Sequence, residues 1–486
     1  MQLYFSDYRA LWRVGEVPGI SGASLTDLVE RYRLPAGTPV LLDDWMRPVE
    51  PVSSWFRSLA LERADRKTMK AYALTSFMLL RFLTARGLDL RSATEWDILQ
   101  FRQWRLEEAT ATVEEPTWDK DSAAISRLYA YLDRIGYVES RPWRTTSRGQ
   151  SLGSRKSTDL RVRHMELEQY LYFRDVGFGG LAPDAALDES FRGWRPHRNR
   201  ATCELALMTG MRIQEWSTLL LPELGLEAGG RPRTTNVDLK ACAKRERPRS
   251  VYVPVDAMEL LDPYLLLERP GIVARAQGTL RRRHRDLFVV DRLEADGRKV
   301  RGVLEGRTVI RVVKEMSPDL RRITVLETGD GLDPLAVFIG QGGKMLTFSG
   351  WDRVRWRAWA QMKKWAAHET APQMPRACWL YHDLRHTFAL RLLIFLTREA
   401  LGDLEKQDLP MSTLLDHMTS NPLLVVQQRL GHAHPSTTYR YVRYLKDPMR
   451  EVDDAFREWS AAGGASYLTI ARRLMNLEEH SSASQG

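Results

Sequence analysis

A chain of 486 residues is longer than one ordinary core fills, so two or three domains are expected. Lys and Arg number 72 against 62 Asp and Glu, and the formal charge of +10 favours a polyanionic partner, nucleic acid first among them. Cys203, Cys242 and Cys378 are scattered singly, which excludes a paired disulfide framework and the close doublets of a zinc ribbon. No apolar run nears the roughly 18 residues of a membrane span, and Met1 to Asp7 has no basic stretch leading into an apolar core. A cytoplasmic protein without a membrane partner is the expectation.

Residues 1–48 carry turn signals at Pro18-Gly19 and Pro35-Ala36-Gly37 and read as a lead-in segment. From 49 to 145 the apolar spacing is helical. Tyr72, Phe77, Leu80 and Leu83 form one set, Ile98, Phe101 and Trp104 a second, and Ile125, Leu128, Tyr129 and Leu132 a third. Three or four packed helices are predicted, with Gly87 and Gly136 at helix ends and Thr94 and Asp119 as N-caps. Residues 146–164 are rich in Ser, Thr and Gly and carry Arg148, Arg155, Lys156, Arg161 and Arg163, which makes a basic linker, either following a phosphate backbone or simply solvated.

A second domain is placed at 165–447. Leu205 to Leu221 has helical pattern, Arg249 to Pro254 reads as a strand, and Val300 to Leu326 alternates apolar and charged residues like a hairpin. Residues 448–486 spread Met449, Val452, Phe456, Trp459 and Leu474 at near-helical intervals before a Ser-rich tail. The fold class is therefore mainly α with a small β-sheet, α+β.

The chemistry concentrates in three places. In Thr209-Gly210-Met211-Arg212 the glycine lets the chain turn and present an arginine at the start of a helix, where an anion is favoured. In Tyr381-His382-Asp383-Leu384-Arg385-His386-Thr387, His382 and Arg385 are three apart and share a helix face. Taken alone, that spacing favours a helix whose histidine caps a neighbour while Arg385 and His386 face solvent. In Leu430-Gly431-His432, Gly431 permits a sharp turn and Pro435-Ser436 starts a helix bearing Tyr439, Tyr441 and Tyr444. Tyr439 and Tyr441 lie roughly 200° apart on a helix, so at most one of them faces a given ligand.

Arranged in this order, two arginines, two histidines and a tyrosine resemble the tyrosine recombinases, the phage-integrase family, most closely in the two C-terminal boxes. The resemblance implies an N-terminal helical core-binding domain and a mixed α/β catalytic domain that clamp double-stranded DNA. It implies Arg212, Lys244, His382, Arg385, His432 and Tyr441 as catalytic residues. Tyr441 is selected by the family's spacing from the Gly-His pair, and Lys244 by a hairpin resembling the one that carries the family's lysine, with Lys240 as the alternative. The implied function is site-specific recombination through a 3′-phosphotyrosyl intermediate, with no cofactor and no metal, by a homotetramer on paired sites, with an accessory DNA-bending protein admitted as a further partner. Compared with compact members, insertions are expected near 271–333 and 397–419, and residues 448–486 are expected to dock in cis or in trans.

Two alternatives use other chemistry. A DNA-binding protein of the same fold without catalysis needs only phosphate and base contacts. A metal-dependent hydrolase would use His382 and His386, four apart on a helix, although Arg385 sets a cation on that face.

Overall fold

A computed structural model describes residues 1–6, 34–62, 64–146, 149–150, 152, 163–193, 195–225, 235–294, 297–404 and 421–445. The turn at Pro18-Gly19, most of the basic linker, residues 405–419 of the second expected insertion, and the segment 448–486 lie outside them. Its contacts divide the chain into two units, 1–159 and 160–486.

In the first unit a short ribbon pairs β1 (Gln2–Phe5) with β2 (Pro39–Leu42), and Leu41 joins the core beneath it. Four helices supply the rest of that core: α1 (Val52–Leu61), α2 (Arg66–Thr84), α3 (Glu95–Gln103) and α4 (Glu115–Arg134). Their apolar stripes converge on Phe56, Leu83, Phe101, Trp118 and Tyr129, all buried. The ends follow local chemistry. Thr94 caps α3, its Oγ1 accepting from Asp97 N–H at 3.4 Å while Asp97 accepts from Thr94 N–H at 2.8 Å. Gly87 and Gly136, at φ 73° and 69°, terminate α2 and α4 in the left-handed conformation. Asp119 is not a cap: it lies inside α4, because Pro116 in the first turn starts that helix earlier. A buried cross-tie joins three elements, Arg105 to Asp121 at 2.9 Å and Thr75 Oγ1 to the same carboxylate at 2.7 Å. Thr94→Ala removes one reciprocal cap and is expected to cost about 1 kcal/mol. Urea unfolding of the two proteins measures it, and an unchanged midpoint would refute the cap's contribution.

The second unit is built around α6 (Pro196–Thr209), which is buried on all sides and packs against the π-helical turn that continues α5 (Leu167–Leu171). The expected helix from Leu205 to Leu221 is broken: α6 ends at Thr209, Gly210 is left-handed, and a short α7 (Ile213–Ser217) follows. Beyond it β3 (Thr235–Leu239) and β4 (Arg249–Val253) form an antiparallel hairpin, with the strand where it was predicted. After α8 (Val255–Glu259) and α9 (Arg269–Arg282) comes a five-stranded sheet. Its strands are β5 (Phe288–Glu294), β6 (Lys299–Leu304), β7 (Arg307–Val312), β8 (Thr324–Thr328) and β9 (Gly331–Pro334), in the order β9-β8-β5-β6-β7. Only β8 and β5 run parallel. The predicted hairpin is β6–β7, turned by Glu305-Gly306 with both φ positive, the combination that suits a two-residue turn. Gly302 is required by close approach, since a Cβ there would stand 2.1 Å from the Val289 carbonyl oxygen.

This sheet is tied to the β3–β4 hairpin and to the segment that precedes it. Ala241 N–H donates to Lys314 O at 3.0 Å, Lys240 pairs with Glu315 at 2.9 Å, and fully buried Arg321 binds Glu223 and the Thr218 carbonyl. The chain closes with α10 (Phe348–Lys364), α11 (Tyr381–Leu404), α12 (Pro422–Leu430) and α13 (Pro435–Leu445). Trp216, Phe338, Trp351 and Tyr381 form an aromatic cluster, with Trp216–Trp351 centroids 4.9 Å apart and nearly perpendicular.

Candidate active site

Four chain segments meet in the second unit. At the first, Gly210 turns the chain at φ 60°, and a Cβ there would come within 2.4 Å of the Phe388 ring. Glycine is therefore demanded by both conformation and packing. The turn places Arg212 at the N-cap of α7, where Glu215 accepts from the Arg212 N–H at 2.7 Å and from its guanidinium at 3.1 Å. Arg249, at the start of β4, reaches the other side of that carboxylate at 2.5 Å. Glu215 is buried, which pushes its pKa upward, but Arg249 and Arg212 outweigh burial and hold the carboxyl below its usual range.

The second segment is the start of α11. Asp383 accepts from Leu380 N–H at 2.8 Å and from Arg163 at 2.8 Å, and Tyr381 anchors the turn in the aromatic cluster. That fixes the face carrying Arg385, which is 1% exposed and donates to the carbonyls of Gly210 and Leu430. Burial and the nearby Arg212 push its pKa down to about 9, so the guanidinium keeps its charge at neutral pH. His382 and His386 meet edge to face on this helix, centroids 4.6 Å apart. His382 is exposed to solvent; protein crowding at its inner edge, then Arg385, Arg212 and Lys244, push its pKa down.

The third segment is the turn after α12. Gly431 is left-handed, and the His432 N–H closes back onto Gln427 O at 3.0 Å. The His432 Nδ1 and Thr438 Oγ1 are 3.0 Å apart. On α13, Tyr441 is 4% exposed and packs among Ala389, Leu390, Val426 and Leu430. Its ring lies parallel to His432 at 6.2 Å, and its hydroxyl is 3.0 Å from His386 Nδ1. Burial pushes the phenol's pKa above its usual value, and Arg385 and Arg212 offset only part of that rise.

The fourth segment, the β3–β4 connection, carries Lys244 in a single 3₁₀ turn, exposed and within electrostatic reach of His382. Lys240 is instead directed to Glu315. Arg212, Arg385, His432 and Tyr441 thus come together, His382 flanks them, and Lys244 stands at the edge. Tyr439 is 55% exposed, and no side chain is described for Tyr444. Two contributors were missed in the sequence, Glu215 and Arg249, and His386 was considered for a function only as a metal ligand beside His382. Glu215 had a readable signal, an acid three residues after a helix-starting residue. The Arg249 ion pair and the His386 contact with Tyr441 had none, because the partners lie 34 and 55 residues away. No third His, Cys, Asp or Glu joins His382 and His386 in a metal-holding group among the described residues.

Burial comes first, and neighbouring positive charge second, in pushing the imidazoles of His386 and His432 down to about 3. Both are neutral in the fold at neutral pH, whereas in an unfolded chain they titrate near 6.5. As pH falls the unfolded chain takes up these protons first. Their support for the fold is complete above about 6.5 and is withdrawn as pH falls toward about 3. The unfolding midpoint of His386→Asn is therefore expected to fall less steeply with acid than that of the parent protein. Parallel slopes would contradict the assignment.

With helices around small sheets, the architecture is α+β. Matching solved structures include recombinases and a transposon integrase. XerH site-specific recombinase bound to difH substrate, a pre-cleavage complex, is 16% identical with TM-score 0.40, over 83% of this chain and 83% of that one. The Tn1549 transposon integrase in complex with transposon right end DNA is 13% identical with TM-score 0.41, over 79% of this chain and 92% of that one. XerA recombinase is 15% identical with TM-score 0.28, over 86% of this chain and 98% of that one. At these identities and scores the likeness assigns no role to any residue here. No family model matches the sequence, and no curated protein matches it.

Proposed function

We propose that this protein is a site-specific DNA recombinase that cleaves and rejoins double-stranded DNA through a 3′-phosphotyrosyl bond at Tyr441. The observation that carries this reading is the hydroxyl of a buried tyrosine, held by a neutral histidine in the field of two arginines, Arg385 and Arg212. A phosphodiester under attack spreads negative charge over its non-bridging oxygens, and guanidinium groups supply paired donors that stay protonated. In this reading Arg212 and Arg385 hold the phosphate, His432 and His382 donate to its oxygens from the flanks, and Lys244 delivers a proton to the departing 5′-oxygen. The bond energy is kept in the phosphotyrosine, so the chemistry needs no metal and no nucleotide.

The helical domain at 49–145 and the catalytic domain at 165–447 would both hold the duplex. A homotetramer on paired sites, the basic linker along the backbone, an accessory DNA-bending protein and a cytoplasmic setting belong to the same proposal. No helix among the described residues is long and apolar enough to cross a membrane.

A pool of nicked duplexes with a randomised centre, mixed with the protein in EDTA, tests the reading. Covalent adducts are isolated under denaturing conditions and sequenced. Adducts that form in chelator and vanish in Tyr441→Phe are expected. DNA bound without any adduct would favour a non-catalytic binder, and metal-dependent cleavage surviving Tyr441→Phe would overturn the proposal. Arg212→Ala is expected to slow adduct formation roughly 10²–10³-fold, the usual loss for one donor to a developing oxyanion. A rate within a few-fold of the parent would remove Arg212 from the clamp.

A further inference from the structure

Resting on the strand-transfer reading, we propose that His386 is the group that takes the phenolic proton when Tyr441 attacks and restores it when the phosphotyrosyl bond is broken. The hydroxyl must lose its proton as the Oη–P bond forms, and the cationic field alone provides nowhere for that proton to go. The His386 Nδ1 stands at hydrogen-bond distance from this hydroxyl, 3.0 Å.

The other candidates are turned to different tasks. His432 lies flat against the Tyr441 ring, and its Nδ1 faces Thr438 Oγ1 at 3.0 Å. His382 meets the edge of His386 rather than the phenol. Arg385, already donating to two carbonyls, has no lone pair to accept a proton. His386 sits one position beyond Arg385 on α11, so the residue that faces the phosphate and the residue that faces the nucleophile are set by one helical turn.

To act as acceptor, His386 must be neutral with its proton on Nε2. Burial, together with His382, Arg385, His432 and Arg163 around it, keeps it unprotonated. An imidazole held so low is a poor base in the empty site. The phosphodiester corrects this on arrival, because its negative charge offsets the cations and raises the affinity of His386 for a proton. In the forward step the Oη–P bond forms, P–O5′ breaks, the phenolic proton passes to Nδ1, and O5′ takes a proton from Lys244. In the reverse step a 5′-hydroxyl attacks and gives its proton back to Lys244 as O5′–P forms, Oη–P breaks, and Nδ1 returns its proton to Oη.

The experiment uses the full chain and a duplex sequence recovered from the randomised pool. Two reactions are compared: adduct formation by Tyr441, and direct joining of a strand ending in a 3′-para-nitrophenyl phosphate to a 5′-hydroxyl strand in the Tyr441→Phe background. Nitrophenolate departs without needing a proton. His386→Asn and His386→Gln are expected to slow adduct formation roughly 10²-fold or more, and to leave nitrophenyl joining within a few-fold of Tyr441→Phe alone. Equal slowing of both reactions would make His386 merely structural and overturn the proposal, as would adduct formation at the parental rate in both variants. If the unaltered protein forms no adduct, the strand-transfer reading itself fails, and that outcome is seen before any His386 variant is compared.

Discussion

Glu215→Gln is expected to destabilise the second unit by about 3 kcal/mol, the lower end of what breaking a buried ion pair costs. The carboxylate is fully buried and is the shared counter-ion of Arg212 and Arg249, which are 24% and 9% exposed at their side chains. Glutamine keeps the shape and one acceptor, but leaves two guanidinium groups facing each other with no anion between them. The lower end applies because Arg212 retains some water. Guanidinium chloride unfolding followed by tryptophan fluorescence measures the effect. The double variant Glu215→Met, Arg249→Met is expected to recover part of the loss, since removing both partners spares the orphaned charge. A midpoint for Glu215→Gln equal to the parent's would show that the arginines do not depend on this acid.

Trp216→Ala is expected to cost about 3–5 kcal/mol, the range for deleting a fully buried aromatic side chain. The indole contacts Phe338, Trp351 and Tyr381, and none of its surface is exposed. The cavity has a second effect. Trp216 belongs to the short helix that Arg212 begins, and Tyr381 is the first residue of the helix that carries Arg385. Loosening one ring therefore loosens both arginines, so under the proposed function adduct formation should fall at temperatures where the variant is still folded. Trp216→Phe should lose less in both measurements. Loss of stability with unimpaired adduct formation would show that the arginines are positioned independently of the cluster.

The most legible features were those set by neighbours in the chain. Gly431 as a turn, Pro435 as a helix start, His382 and Arg385 on one helix, and Thr94 as a cap each depend on a few adjacent residues. Asp119 was misread because a proline three residues earlier had already opened the helix. Gly210 was read as a turn, yet the apolar pattern on both sides suggested one helix; the close approach of Phe388, 178 positions on, shows why only glycine fits there. The hairpin β6–β7 was visible in its alternation, whereas the parallel pairing of β8 with β5 depends on strands far apart in sequence. The same holds within the site. Residue types suggested that two arginines, two histidines and a tyrosine belong together, but which acid holds the arginines and which imidazole meets the phenol are facts of packing.

Lys240, Ala241 and Cys242, which lead into the turn bearing Lys244, are all fastened to residues 314–316 of the five-stranded region. Chain remote from a site is commonly regarded as ornament that could be trimmed without touching it. Here residues 314–316 act as a buttress for a loop at the edge of the candidate site. Shortening it is expected to shift Lys244 before it disturbs Arg212 or Arg385, so this region and the loop can be remodelled only together.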